Sequence, residues 1–150
     1  MLLQTAAGDP AKMSTETFKV FISDKLDAGG LDYLKKSKGI EVINTPGLKG
    51  DELKKAVRDI DAIVVRSGTK VTAELIEAAP KLKVIGRAGV GVDNVDVDAA
   101  TRRGIIVMNT PAGNTISTAE LTLTMIMALA RKVPQASASI RKGEWKRSEY

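Results

Sequence analysis

Residues 81–120 read KLKVIGRAGVGVDNVDVDAATRRGIIVMNTPAGNTISTAE and hold two strand-to-loop crossings. The first runs from Val84 and Ile85 into Arg87, Ala88, Gly89, Val90 and Gly91, where small or absent side chains let backbone N–H groups approach an anion. The second runs from Ile105, Ile106 and Val107 into Asn109, Thr110, Pro111, Gly113 and Asn114, a polar turn ahead of a long apolar segment. Between them, Val95–Arg103 has helix composition and Gly104 ends it. Strand, glycine loop, helix and strand in that order predict parallel neighbours in a sheet.

The same alternation repeats upstream. Phe18–Ser23 reads as a first strand, and a helix is expected over 27–36 with Leu31 and Leu34 inward, weakened at its start by Gly29 and Gly30 and ended by Gly39. Ile40–Ile43 is a second strand, Thr45–Gly50 a turn, and Asp51–Arg58 a helix with Leu53, Ala56 and Val57 on one face. Ala62–Val65 is a third strand. Thr72 caps a helix over Ala73–Ala79 and Pro80 stops it. The fold class is therefore α/β, an open parallel sheet with helices on its faces. Beyond Gly113, LTLTMIM at 121–127 alternates like a strand. Ser117 and Glu120, however, have the spacing of a capping box, and the apolar stretch continues to Ala130. A long apolar helix over Thr118–Lys132 is expected, needing cover from another domain or subunit. Pro134 should kink or end it, with another turn or two over Gln135–Lys142.

The 150 residues are 43% hydrophobic, enough for one domain's core and some extra structure. The absence of Cys excludes disulfides, thiolate catalysis and Cys-ligated metals, and the absence of His removes the commonest general base and metal ligand. No metal site and no complete hydrolase triad are expected. The net charge of +5 is scattered, and one Trp, two Tyr and two Phe offer few stacking rings, so no nucleic acid is expected as partner. A small acid suits this balance better. No apolar run reaches membrane-spanning length, and residues 1–17 lack the basic start and apolar core of a secretory leader. The expectation is a cytoplasmic protein without a membrane partner, with 1–17 a mobile N-terminal extension and a short organelle address as the lesser alternative.

Ligands of an open parallel sheet bind beyond the carboxyl ends of its strands. Here those ends offer Asp24, Asn44, Arg66 with Ser67, Arg87 to Gly91, and Asn109 to Asn114. Arg66 and Arg87 can each grip a carboxylate or phosphate through parallel N–H bonds. One isolated Arg would be a solvated loop cation; two at neighbouring strand ends point to an anion pocket. The run from Gly89 to Asn94 begins like a dinucleotide loop, but Asn94 stands where the third Gly belongs, and no acidic residue follows about twenty positions on. This loop is expected to wrap a small acid; a tight turn with no ligand is the plainer alternative.

Three blocks, VVRSGTKVT at 64–72, VIGRAGVGVDNVDVDAATRRGIIVMNTPAGN at 84–114 and STAELTLTMIMALAR at 117–131, resemble the amino-terminal part of the phosphoglycerate dehydrogenase branch of the NAD-dependent D-isomer 2-hydroxyacid dehydrogenases. The resemblance runs from Phe18 through WKRSEY at the end of the chain and leaves 1–17 outside. It implies a flavodoxin-like substrate-binding domain over 18–114. Residues 115–150 would then form a helix leading toward an absent Rossmann domain, with a homo-oligomer made through 115–142. It further implies that Arg66, Ser67 and Arg87 contact a small phosphorylated 2-hydroxy acid, that the N–H groups of Ala88 and Gly89 hold its carboxylate, and that Asn114 lines the same cleft. Val90 would approach NAD, with Val where many relatives carry Thr.

In the family, the dinucleotide fingerprint and the catalytic His, Glu and Arg fall beyond the position of Tyr150. The resemblance thus implies part of an oxidoreductase converting 3-phosphoglycerate and NAD to 3-phosphohydroxypyruvate in L-serine biosynthesis, with no catalytic residue among these 150 and no turnover from them alone. Rival readings are another D-2-hydroxyacid dehydrogenase, such as a glyoxylate or hydroxypyruvate reductase, a non-catalytic binding or assembly module, and a corepressor-type interaction protein on the same fold.

Overall fold

The computed structural model describes residues 17–150, so the extension expected over 1–17 lies outside them save for its last residue. Five strands, β1 (Phe18–Ile22), β2 (Ile40–Asn44), β3 (Ala62–Val65), β4 (Val84–Arg87) and β5 (Ile106–Asn109), form one parallel sheet in the order β2-β1-β3-β4-β5. This is the flavodoxin-like order, with its switch point between β1 and β3. Four helices connect the strands: α1 (Ala28–Lys36), α2 (Gly50–Ala56), α3 (Ala73–Glu77) and α4 (Val97–Arg102).

Strand alternation divides the apolar residues between two faces. Phe21, Ile63, Val65 and Ile85 share one face and pack with Leu53 and Val57 of the α2 segment, Leu75 and Ile76 of α3, and Ala99 and Ala100 of α4. Val20 and Ile22, also buried, point to the other face, where right-handed crossover places α1. Leu31 and Leu34 are only half-buried, and no residue of α1 is fully buried. At the β5 end of this second face, Ile106 and Met108 are 59% and 58% exposed, leaving a strip of apolar sheet in the open.

Local chemistry sets the helix ends. The Asp27 carboxylate accepts from the Gly29 and Gly30 N–H groups, which offsets the weak start of α1. Thr72 and Asp96 cap α3 and α4 in the same way. The end of α3 owes as much to Arg103 as to Pro80, because the Arg103 guanidinium donates to the carbonyls of Ile76, Ala79 and Pro80. Gly39 does not end α1, which stops at Lys36; its φ of +75° turns the chain into β2 instead.

The chain falls into two compact units, one ending at Thr110 and the other spanning Pro111–Tyr150. In the second, α5 covers Thr115–Ala130 and α6 covers Val133–Arg141. The expected capping box is not formed. Helix α5 starts three residues before the expected Thr118, and the Ser117 hydroxyl donates to the Asn114 carbonyl instead of receiving a first-turn N–H. Pro134 sits in the first turn of α6, where its missing N–H costs nothing, while Lys132 at φ 48° makes the break between the helices. Ile116, Leu121, Leu123, Met125, Ile126, Met127 and Leu129 of α5 are all more than half exposed. No helix among the described residues is long and apolar enough to cross a membrane.

Candidate functional site

The carboxyl edge of the sheet is organised around the loop that leaves β3. Asp24, just past β1, sends its carboxylate into this loop. Oδ2 accepts the backbone N–H groups of Arg66 at 2.6 Å, Gly68 at 3.2 Å and Thr69 at 3.1 Å, and Oδ1 accepts the Thr69 hydroxyl at 2.8 Å. Because that proton goes to Asp24, the buried Ser23 hydroxyl, 2.7 Å away, is left to donate to Thr69. Burial alone would push the Asp24 carboxyl up. The hydrogen bonds from the Arg66 N–H, from Thr69 and from the Gly68 N–H outweigh it and hold the group below the usual carboxylate value.

On the opposite rim of the same loop, the Asn94 amide donates to the carbonyls of Arg66 at 2.7 Å and Thr69 at 2.6 Å. The backbone of Val71 extends this attachment, pairing with Asn94 and Asp96 across an isolated parallel bridge. The loop is thus held by its N–H groups from one side and by its C=O groups from the other. What remains outward are the side chains of Arg66 and Ser67, both exposed.

Arg66 lines an open depression of about 390 Å³ with Leu26, Asp27, Gly30, Leu34, Val64 and Ala88. Among the described residues its guanidinium makes one long bond, Nη1 to the Lys25 carbonyl at 3.3 Å, and the rest of its donors have no partner there. Asp27, on the same depression, makes no ion pair with Arg66 among the described residues; the N–H groups of Gly30 and Gly29 engage its carboxylate and keep its carboxyl below the ordinary value. A second depression of about 420 Å³ on the other flank of Asp24 is bordered by Lys49 and Lys70.

The glycine loop after β4 differs from expectation. Arg87 is the last residue of β4, not the first of the loop. The ladder continues one step further, and the Ala88 N–H donates to the Val65 carbonyl at 2.8 Å. The Gly89 N–H turns back to the Arg87 carbonyl at 2.9 Å. Both amides expected to hold a carboxylate are therefore satisfied within the chain, and either could serve a ligand only after the loop rearranges. The Arg87 guanidinium folds across Gly89, and a Cβ there would push that side chain aside. The Arg87 Nε is buried with no partner among the described residues. Asn109 and Thr110 strap this loop to the end of β5, through Asn109 Nδ2 to the Val90 carbonyl and Thr110 N–H to the Gly89 carbonyl. Val90 itself is exposed.

These contacts do not make a pyrophosphate cradle. The Gly89 amide is consumed, and Asn94 is committed to the neighbouring loop, so the residues present do not fit the phosphates of NAD. The structure brings Arg66, Ser67, Arg87, Ala88, Gly89 and Val90 to one edge of the sheet. Asn114 belongs to the second unit, where it precedes α5 and its carbonyl accepts from Ser117 and Thr118.

The family model described as D-isomer specific 2-hydroxyacid dehydrogenase, catalytic domain, matches residues 20–145. The chain belongs to this family. It is 53% identical over 132 residues to the D-3-phosphoglycerate dehydrogenase of Homo sapiens and 51% identical over 132 residues to that of Archaeoglobus fulgidus. Each alignment takes in 88% of this chain and 25% of the relative, so the chain spans about a quarter of the length of these curated proteins. The crystal structure of the NAD+-bound 3-phosphoglycerate dehydrogenase of Entamoeba histolytica superposes with a TM-score of 0.66 at 30% identity, covering 75% of this chain and 39% of that one.

Two residues of this 2-hydroxyacid dehydrogenase chain were undervalued in the sequence. Asp24 stands out there only as one polar residue at a strand end, and Asn94 only as a departure from a glycine fingerprint. Their partners lie 42 to 45 and 25 to 28 positions away, beyond the reach of any local pattern. The available signal was the strand order itself, since β1 beside β3 places Asp24 next to the loop at Arg66.

Proposed function

We propose that this chain is the substrate-binding part of a D-3-phosphoglycerate dehydrogenase, an NAD-dependent oxidoreductase that forms 3-phosphohydroxypyruvate for L-serine biosynthesis. The observation that carries this reading is the exposed Arg66 guanidinium beside the open depression at the carboxyl edge of the sheet. Arg87 ends the neighbouring strand, in a chain about half identical to proteins of that name. Arg66, Ser67 and Arg87 would bind the phosphorylated 2-hydroxy acid, with the amides of Ala88 and Gly89 joining once the loop shifts, and with Asn114 at the border of the same cleft. NAD would supply the hydride acceptor and be held outside these 150 residues, with Val90 the nearest contribution from them. Taking the hydroxyl proton needs a base poised near neutral pH, and the chain contains no His, so its share is binding and not proton transfer.

The domain boundary is proposed at 114/115, four residues beyond the structural division at Thr110. The exposed apolar residues of α5 support a homo-oligomer through 115–142. A metabolic enzyme of this kind would work in the cytoplasm.

Calorimetric titration with 3-phosphoglycerate tests the reading. Saturable binding that weakens at least tenfold with unphosphorylated glycerate, and by a similar factor in Arg66→Ala, is expected. Equal affinity for both acids would favour another hydroxyacid dehydrogenase. An unchanged Arg66→Ala would remove Arg66 from the site.

A further inference from the structure

Three backbone N–H groups converging on one point form a nest for an anion. In the loop from Arg66 to Thr69 that point is filled by the chain's own carboxylate, and every hydrogen bond Asp24 makes there goes to this loop. We propose that Asp24 is a positioning residue. It takes the anion seat of the loop, so that an external acid is met by the side chains of Arg66 and Ser67 and not by the loop's backbone N–H groups.

The geometry supports this in two ways. First, Arg66 is pinned through both of its backbone polar groups, its N–H by Asp24 and its C=O by Asn94, which leaves the guanidinium as its mobile part. A side chain anchored at a fixed Cα loses less freedom when it grips a ligand. Second, a filled seat cannot compete for the substrate's charge. Left open, it would draw a carboxylate or phosphate into the loop, away from the depression that Arg66 lines. The fixed negative charge also repels a second anion from that side, so a bound acid is steered to the guanidinium. The inference rests on the substrate-binding reading above, and its test separates the two.

Amide hydrogen exchange at Arg66, Gly68 and Thr69 reports the seat directly, and calorimetry with 3-phosphoglycerate reports its consequence. In Asp24→Ala, exchange at these three amides should accelerate while strand amides of β1 and β3 stay protected, and affinity should fall about tenfold, the scale of a lost charge-assisted hydrogen bond. Formate, a free carboxylate small enough for the vacated seat, should restore both together in Asp24→Ala and change neither in the wild type. A merely structural loss would not respond to formate. Wild-type protection at the three amides in Asp24→Ala, or lost protection with no recovery in formate, overturns the proposal. If Asp24→Ala does not fold, Asp24→Ser decides, because its shorter side chain does not reach the three N–H groups: faster exchange that formate reverses supports the seat, and unchanged exchange, or faster exchange with no recovery in formate, overturns it. A wild-type chain that does not bind 3-phosphoglycerate sinks the functional reading, while formate-dependent protection in Asp24→Ala still upholds the seat.

Discussion

At the carboxyl edge of the sheet Asp24 faces backbone N–H groups, whereas at the amino edge Asp59 faces lysine side chains and Asp61 faces a lysine side chain and one backbone N–H. Asp59 bridges Lys19 and Lys81, each at 2.5 Å; Asp61 pairs with Lys83 at 2.9 Å and accepts the Lys19 N–H at 3.0 Å. Both edges keep their carboxylates charged, by different means. Backbone donors are placed by the fold before the carboxylate arrives, so the bonds fix geometry. Exposed lysines must give up rotamer freedom to pair and are screened by salt, so such pairs contribute little to stability. The first edge fixes the geometry of its loop; the second balances charge.

The largest effect expected from breaking this contrast is at Asp24. Asp24→Ala strands three N–H groups and a hydroxyl at once, and urea unfolding should show a loss of about 3 kcal/mol. Next comes Asn94. Asn94→Ala leaves two loop carbonyls without their donor and should cost about 1–2 kcal/mol by the same measurement. Asn94→Gly, which completes the GxGxxG pattern, should cost at least as much and gain no affinity for NAD in a titration. Detectable new NAD binding would show that the fingerprint was one residue from working.

Acid sharpens the comparison further. Lys19 and Lys81 hold Asp59 down to about 2, the Lys19 N–H and Lys83 lower Asp61, and Asp24 is lowered despite its burial. A folded value below the unfolded one, about 4 for Asp, means a contribution present in full above pH ~4 and lost as pH falls through the folded value. Circular dichroism should therefore show stability declining from about pH 4 toward about pH 2. Salt should weaken the part that comes from Asp59, leaving the Asp24 part in place. The smallest effect is Asp59→Asn at neutral pH. Its Tm should lie within a degree or two of wild type, closer still in high salt. A shift as large as that of Asn94→Ala would show that the amino edge is not merely a charge balance.

Much of the frame was legible because its signals are local. Thr72 and Gly104 act within three or four residues of themselves, and Ala62–Val65 is the strand that its apolar run predicts. Ser117 misled because its hydroxyl can serve either as an N-cap acceptor or as a donor to a carbonyl three residues back, and spacing alone does not choose. Arg66, Ser67 and Arg87 could be placed at the carboxyl edge because they end or follow strands that apolar runs mark. The engagement of Ala88 could not be foreseen, since it depends on β4 pairing with β3 for one residue more than the apolar pattern marks.

The separation of Asp24 from its loop has a consequence for the timing of synthesis. A chain emerging from the ribosome has β1, α1 and β2 early, and these can pair as a local unit. Asp24 then waits with its carboxylate in water until Thr69 has followed 45 positions later and β3 has docked beside β1. Asn94 locks the other rim only after a further 25 residues. The loop from Arg66 to Thr69 thus depends on residues made well before and well after it, and a nascent chain shorter than 94 residues lacks one of the two groups that hold its rims.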